Sequence, residues 1–166
     1  MSLTHRLALI ADLPAIVAIY NSTVASREVT ADTDPITVES RLAWFAEHDP
    51  ARRPLWVVED SHGHVIGWLS YSNFYGRPAY SGTAELSIYI DEAARGKGLG
   101  RYLLTEAIAV APRIAVHTLL GFIFGHNVAS LALFDRFGFA RWAEMPGVAT
   151  LDGIERDLII LGKRVG

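Results

Sequence analysis

The run Arg95-Gly96-Lys97-Gly98-Leu99-Gly100-Arg101 constrains the fold more than any other part of the chain. It follows an extended segment, Thr83 to Ile90 (TAELSIYI), and precedes a pattern in which Leu103, Leu104, Ala107, Ile108 and Val110 recur at helical spacing before Pro112. The run must therefore turn a strand into a helix. The first turn of a helix carries unpaired N–H groups and the positive end of its dipole, and glycines let a ligand approach that backbone closely. Arg95, Lys97 and Arg101 add positive charge at the same place, which makes Arg95 to Arg101 a candidate cradle for an anion. Two phosphate-binding patterns do not fit. A P-loop ends in Gly-Lys-Ser/Thr after four spacers, and no such run occurs. Counting G-x-G-x-x-G from Gly96 and Gly98 puts Arg101 where the last glycine belongs, and the preceding strands read as antiparallel. A tight turn that simply needs flexible residues is the plain alternative.

The rest of the pattern is α+β within one domain, 1–166. A short strand near Leu3 to Leu9 leads to a helix from Asp12 to Val24, with Asp12 placed to cap it and Pro14 in its first turn. Ser26 to Pro35 is polar and without period, hence a loop. Thr37 then caps a helix running through Leu42, Trp44 and Phe45 to His48. Extended runs follow at Leu55–Asp60, Val65–Ser72 and Thr83–Ile90, and they read as an antiparallel meander. After the glycine turn and its helix come a strand at Thr118–Phe124, a helix from Asn127 or Val128 to Phe137 closed by Gly138, and strands near Ala140–Met145 and Arg156–Leu161.

Composition removes several classes of function. The chain has no cysteine, which excludes disulfides, cysteine-ligated zinc, iron–sulfur clusters and thiolate nucleophiles. Fifteen Lys+Arg against 18 Asp+Glu leave a net charge of −3, which argues against a general nucleic-acid binder. No stretch approaches the roughly 18 apolar residues of a membrane span. The first ten residues, broken soon after by Asp12 and Pro14, do not read as a secretory signal, so a cytoplasmic location is expected. Asp60, His62 and His64 alternate with a spacing that suggests metal ligands, but the histidines fall in the hairpin turn and no third strong ligand is placed, so no metal is expected. Trp44, Trp56 and Trp68 lie in periodic segments and read as core. His117 and His126 read as structural or solvent-facing.

Asn127-Val128-Ala129-Ser130 followed by Leu133 to Phe139, together with Arg95-Gly96-Lys97-Gly98-Leu99-Gly100, resembles the GNAT N-acetyltransferase superfamily. More narrowly, Ile19-Tyr20-Asn21, Ala43-Trp44-Phe45, Arg77-Pro78-Ala79-Tyr80 and the strand of Glu85, Ser87, Ile88, Tyr89 and Ile90 resemble the phosphinothricin and methionine sulfoximine acetyltransferase group, over about Arg6 to Leu161. The resemblance implies a mixed, mostly antiparallel sheet of about six to seven strands flanked by about four helices. It also implies acetyl-CoA as donor, a small amino acid or analogue as acceptor, and a homodimer. In it, Glu85 takes the amine proton, Ser87 to Ile90 contact the acetyl and pantetheine groups, Arg95 to Arg101 hold the pyrophosphate, and Asn127 and Ser130 touch the pantetheine or adenosine side. A polyamine, an aminoglycoside or a protein N-terminus as acceptor, and a non-catalytic acyl-CoA-binding module, are the competing readings.

Residue chemistry supports parts of this directly. Alternation along Thr83–Ile90 puts Glu85, Ser87 and Tyr89 on one face, and a carboxylate in a mostly apolar sheet is costly unless bonded or used. Without a thiol nucleophile, direct attack in a ternary complex is favoured over a covalent route. Arg77 and Tyr80 could bind an acidic group on the acceptor. Two departures from the group stand out. Phe134 occupies a position where many members have Tyr or His and has no proton to give, which leaves Tyr102 or water as substitutes. Arg27-Glu28-Val29 and Leu151 to Glu155 also differ from the usual sequences, and both segments are expected to border the acceptor pocket.

Overall fold

The computed structural model describes residues 2–166. The strands are β1 (His5–Leu7), β2 (Leu55–Glu59), β3 (Val65–Asn73), β4 (Thr83–Ile90), β5 (Thr118–Phe124), β6 (Ala140–Leu151) and β7 (Ile154–Arg164). The helices are α1 (Leu13–Val24), α2 (Leu42–Ala46), α3 (Leu99–Val110) and α4 (Val128–Arg136). The strands form one seven-stranded sheet in the order β1-β2-β3-β4-β5-β7-β6. β2, β3 and β4 make the expected antiparallel meander, and every pair is antiparallel except β4 with β5.

That parallel pair positions everything that follows. Thr83, Ala84 and Glu85 pair with Thr118, Leu119 and Leu120, and the ladder stops there. β4 continues to Ile90, still paired with β3, while β5 continues to Phe124 paired with β7. The two strands therefore splay, and alternate residues of β4 from Leu86 onward turn N–H and C=O groups into the gap.

Apolar side chains fill both sheet faces. Leu69, Tyr71, Ala84, Leu86 and Leu119 pack against Leu99, Leu103, Leu104 and Ala107 of α3 and Phe134 of α4. On the other face Val57 and Trp68 pack against Ile16, Ile19 and Tyr20 of α1, with Trp44 and Phe45 of α2 at the margin. Tyr71 is wholly buried and its hydroxyl donates to the Ala107 carbonyl at 2.6 Å, tying β3 to α3. Truncating Leu103 or Leu104 would cost about 2 to 5 kcal/mol, since both are fully enclosed.

Four local expectations need correction. Asp12 does not cap α1: its carboxylate accepts from the Leu9 N–H at 2.7 Å and from Arg6, closing the turn before the helix. The expected helix from Thr37 to His48 condenses to a single turn at Glu39–Arg41 followed by the five residues of α2. β1 covers only His5–Leu7, the part that pairs with β2. β6 and β7 are far longer than their apolar stretches, because cross-strand pairing continues through exposed positions to a hairpin turn at Asp152-Gly153.

Candidate active site

The gap between β4 and β5 opens a cleft of about 620 Å³. Its walls are Glu85 to Ile90 on one side and Phe122, Ile123 and Phe134 on the other. One end is closed by the turn into α3 and the other by the loop after α1. In the turn, Gly96 and Gly98 adopt φ of +75° and +82°, and a methyl group added at either would meet open space. Backbone conformation, rather than crowding, demands glycine at these two positions. Gly98 stands immediately before α3, so the orphan N–H groups of that helix face the cleft end flanked by Arg95 and Arg101. A diphosphate suits this cradle, and the unpaired edge of β4 suits an extended amide-bearing arm.

Glu85 sits at the point of splay. Ala84 and Leu86 are buried in the α3 face, while Glu85, Ser87 and Tyr89 take the opposite face, as alternation requires. Burial pushes the Glu85 carboxyl above its ordinary range. Its cross-strand partner is Ser72, and that of Ser87 is Ser70. A hydrogen-bonded row runs beside them. His48 Nδ1 lies 2.9 Å from the Trp44 carbonyl, which can only accept, so this nitrogen carries the proton and Nε2 accepts from the Ser70 hydroxyl at 2.6 Å. Ser72 must then donate to Ser70, 3.3 Å away. Burial holds the His48 imidazole below its ordinary pKa, which favours this neutral arrangement.

The loop after α1 is tied down by three contacts. His126 Nε2 donates to the Arg27 carbonyl at 2.7 Å, Asn127 Nδ2 donates to the Glu28 carbonyl at 3.2 Å, and Arg27 pairs with Asp152 at 2.8 Å. Arg27 itself has φ of +59°. Glu28 and Val29 line the cleft. The segment Leu151 to Glu155 lies outside the lining of this cleft and reaches the loop through Asp152, so the two divergent segments meet each other.

Most sequence-predicted residues converge on this cleft: Glu85, Ser87, Ile88, Tyr89, Ile90, Arg95, Gly96, Gly98, Gly100, Arg101, Asn127 and Ser130 all line it. Leu99 is nearly fully buried in the α3 core, so only its backbone can face a ligand. Lys97 is exposed and does not line the cleft. The Asn127 side-chain oxygen caps α4 through the Ser130 N–H at 3.2 Å. Arg77 and Tyr80 lie on the exposed β3–β4 connection, outside the cleft of their own chain, where Tyr80 packs with Phe74 and Tyr75. Tyr102 is turned away from the cleft, its hydroxyl 2.8 Å from His5. Phe134 packs edge-on against Phe139 and closes over Gly121, where a methyl group would meet its ring at 2.7 Å. Asp60 accepts from the His62 and His64 N–H groups and shapes the hairpin turn. Among the described residues no three His, Cys, Asp or Glu side chains cluster as a metal site, and no helix is long and apolar enough to cross a membrane.

Sequence reading missed His48 and Arg41. Neither belongs to a recognisable motif, and both reach the sheet face from the irregular chain around α2.

Comparison with known proteins agrees with this geometry. The family described as Acetyltransferase (GNAT) matches residues 16–139, and the chain belongs to that family. It is an acetyltransferase. YwnH of Bacillus subtilis (strain 168), whose name proposes phosphinothricin acetyltransferase activity, is 57% identical over 98% of this chain and 99% of its own. The L-methionine sulfoximine/L-methionine sulfone acetyltransferase of Pseudomonas aeruginosa is 35% identical, covering 97% of this chain and 94% of its own. The crystal structure of a GNAT phosphinothricin acetyltransferase from Sinorhizobium meliloti in complex with acetyl-CoA superposes with a TM-score of 0.93 at 30% identity, covering 100% of this chain and 90% of that one.

Proposed function

We propose that the protein transfers the acetyl group of acetyl-CoA to the amine of a small amino acid or amino-acid analogue of the phosphinothricin or methionine sulfoximine kind. The observation that carries this reading is the splay of β4 from β5 directly after Glu85, which sets a half-buried carboxylate beside a cleft of about 620 Å³. The relatives' names supply the acceptor class.

The donor brings a thioester carbonyl and a thiolate leaving group. The Arg95 to Arg101 turn holds the diphosphate through the N–H groups at the start of α3, with Arg95 and Arg101 supplying charge. The free edge of β4 from Ser87 to Ile90 holds the pantetheine amides and orients the carbonyl, with Ser130 along the same wall. Glu85 takes the amine proton, directly or through one water, as the new N–C bond forms. Its raised pKa brings it nearer the operating pH, where a general base works best. The C–S bond breaks, and the thiolate, whose pKa of about 8 to 9 makes it a fair leaving group, takes its proton from solvent because Phe134 has none to give. With no cysteine in the chain, the route is direct attack in a ternary complex.

Arg77, Tyr80, Phe74 and Tyr75 form an exposed aromatic and basic patch, which suits a homodimer interface bringing Arg77 and Tyr80 to a neighbouring acceptor site. The reaction belongs in the cytoplasm, where acetyl-CoA is made. The direct test is acceptor-dependent release of free thiol from acetyl-CoA. Since the protein holds no thiol, a disulfide-exchange dye reads coenzyme A alone. Methionine sulfone and phosphinothricin should give release and an N-acetylated product by mass spectrometry. Release with polyamines or aminoglycosides only would reject the amino-acid reading. Light scattering after size exclusion tests the dimer.

A further inference from the structure

A second cavity, of about 190 Å³, opens on the α1 and α2 face and has no part in the scheme above. Tyr20, Trp44, Trp68 and Tyr89 form an aromatic box around it, with Trp68 stacked on Tyr89 at 4.6 Å and edge-on to Trp44 at 5.5 Å. Ser87 and Tyr89 line both this cavity and the cleft, so the two spaces meet on the strand face that carries Glu85. Arg41 stands in the cavity wall, its guanidinium 5.2 Å from the Tyr20 ring centre and 5.9 Å from that of Trp44. The anion nearest to it is Asp32, at 3.6 Å, longer than a hydrogen bond. A partly buried guanidinium with its fork of donors loosely engaged, beside an aromatic box, fits an oxygen-bearing head at the end of a short apolar stem.

Strand geometry says which part of an acceptor reaches it. Ser87 lies two residues from Glu85, about 7 Å along β4. From an amine nitrogen, the α-carboxylate oxygens of an amino acid lie within about 4 Å, whereas the head atoms of a methionine-length side chain extend to roughly 6 Å. An acceptor with its amine at Glu85 therefore presents the end of its side chain, not its α-carboxylate, to this cavity.

Resting on the amino-acid reading above, we infer that the aromatic box with Arg41 is the side-chain subsite, selecting acceptors whose side chain ends in sulfonyl, sulfoximine or phosphinyl oxygens. Arg41 is the specificity-determining residue, and Asp32 moderates it by competing for the guanidinium.

The experiment is steady-state acetylation of L-methionine sulfone and of L-norleucine, matched in length but without the oxygens, by the wild type and by Arg41→Gln and Asp32→Asn. Arg41→Gln should lower the sulfone-to-norleucine ratio of kcat/KM at least tenfold, mainly through the KM of the sulfone. Asp32→Asn should hold or raise that ratio. An unchanged ratio in Arg41→Gln, beside a wild type that prefers the sulfone, overturns the inference and leaves the amino-acid reading standing. A wild type that acetylates neither compound fails at the earlier step and takes both down. Should Arg41→Gln lose its thermal stabilisation by acetyl-CoA and so prove misfolded, Ile36→Phe tests the same subsite by filling it. That variant must then shift preference from methionine sulfone toward alanine, and an unshifted preference overturns the subsite.

Discussion

The two ends of the active-site cleft are made of different material. The end proposed to hold the donor is backbone: two left-handed glycines, the start of α3 and the unpaired edge of β4. The end proposed to take the acceptor is side chain: Glu85 and Ser87 in the lining, with the hydrogen-bonded row of His48, Ser70 and Ser72 beside them and a loop that Asn127, His126 and Asp152 hold in place. A backbone site tolerates changes of side chain but not of conformation, whereas a side-chain site can be retuned one residue at a time without disturbing the fold. The donor can thus stay fixed while acceptor preference drifts.

The sharpest way to break this contrast is Glu85→Gln. Loss of a positioned base should lower kcat at pH 7 by about a hundredfold or more, with the deficit shrinking at alkaline pH, where free amine is already abundant. An unchanged rate at pH 7 removes Glu85 as the base. The same substitution should raise Tm at pH 7. Burial raises the folded-state pKa of Glu85 above its ordinary 4.5, so the neutral carboxyl contributes stability below that value, and the contribution is lost as pH rises through the folded pKa. At neutral pH the wild type carries the cost of a partly desolvated carboxylate charge that glutamine lacks. The Tm difference should close below about pH 4.

At the donor end, Gly98→Ala should act in the opposite sense. No neighbour obstructs the added methyl, yet the φ of +82° imposes about 1 to 2 kcal/mol of backbone strain or forces the turn to move. The KM for acetyl-CoA should rise about tenfold, with a much smaller change in the acceptor KM. Equal shifts in both would mean that the cradle and the acceptor pocket move as one unit.

The same difference decides what the sequence could reveal. The strand, turn and helix around Arg95 to Arg101 are contiguous, and each element has its own local signal in period-two alternation, glycines and period-3.6 apolar residues. The elements at that end are legible in the sequence, down to the face on which Glu85 lies, although Lys97 falls outside the cleft lining. His48, Ser70 and Ser72 come together only because an irregular segment after α2 folds over β3, and no local pattern reports that approach. Arg41 is hidden for the same reason. The short true extent of α2, and the reach of β6 and β7 through exposed positions, were also invisible. Both depend on tertiary pairing that overrides local propensity. Arg27 and Asp152 lie in segments that depart from the group's usual sequences, but 125 residues separate them and only the fold shows that they pair.

That pair supplies the finest test of the contrast. Arg27 and Asp152 are 27% and 60% exposed at the side chain, so their attraction is screened and worth at most about 1 kcal/mol. His126 and Asn127 hold the same loop through backbone carbonyls, which leaves the ion pair to trim its position rather than to fix it. Asp152→Asn should therefore raise the acceptor KM only about two- to fivefold and leave the acetyl-CoA KM nearly alone. The wild type should drift in the same direction as salt is raised, since added ions weaken an exposed pair, while Asp152→Asn should show a flatter response. If salt moves both proteins equally, the loop owes its position to His126 and Asn127 alone, and the contact between the two divergent segments does not tune the acceptor site.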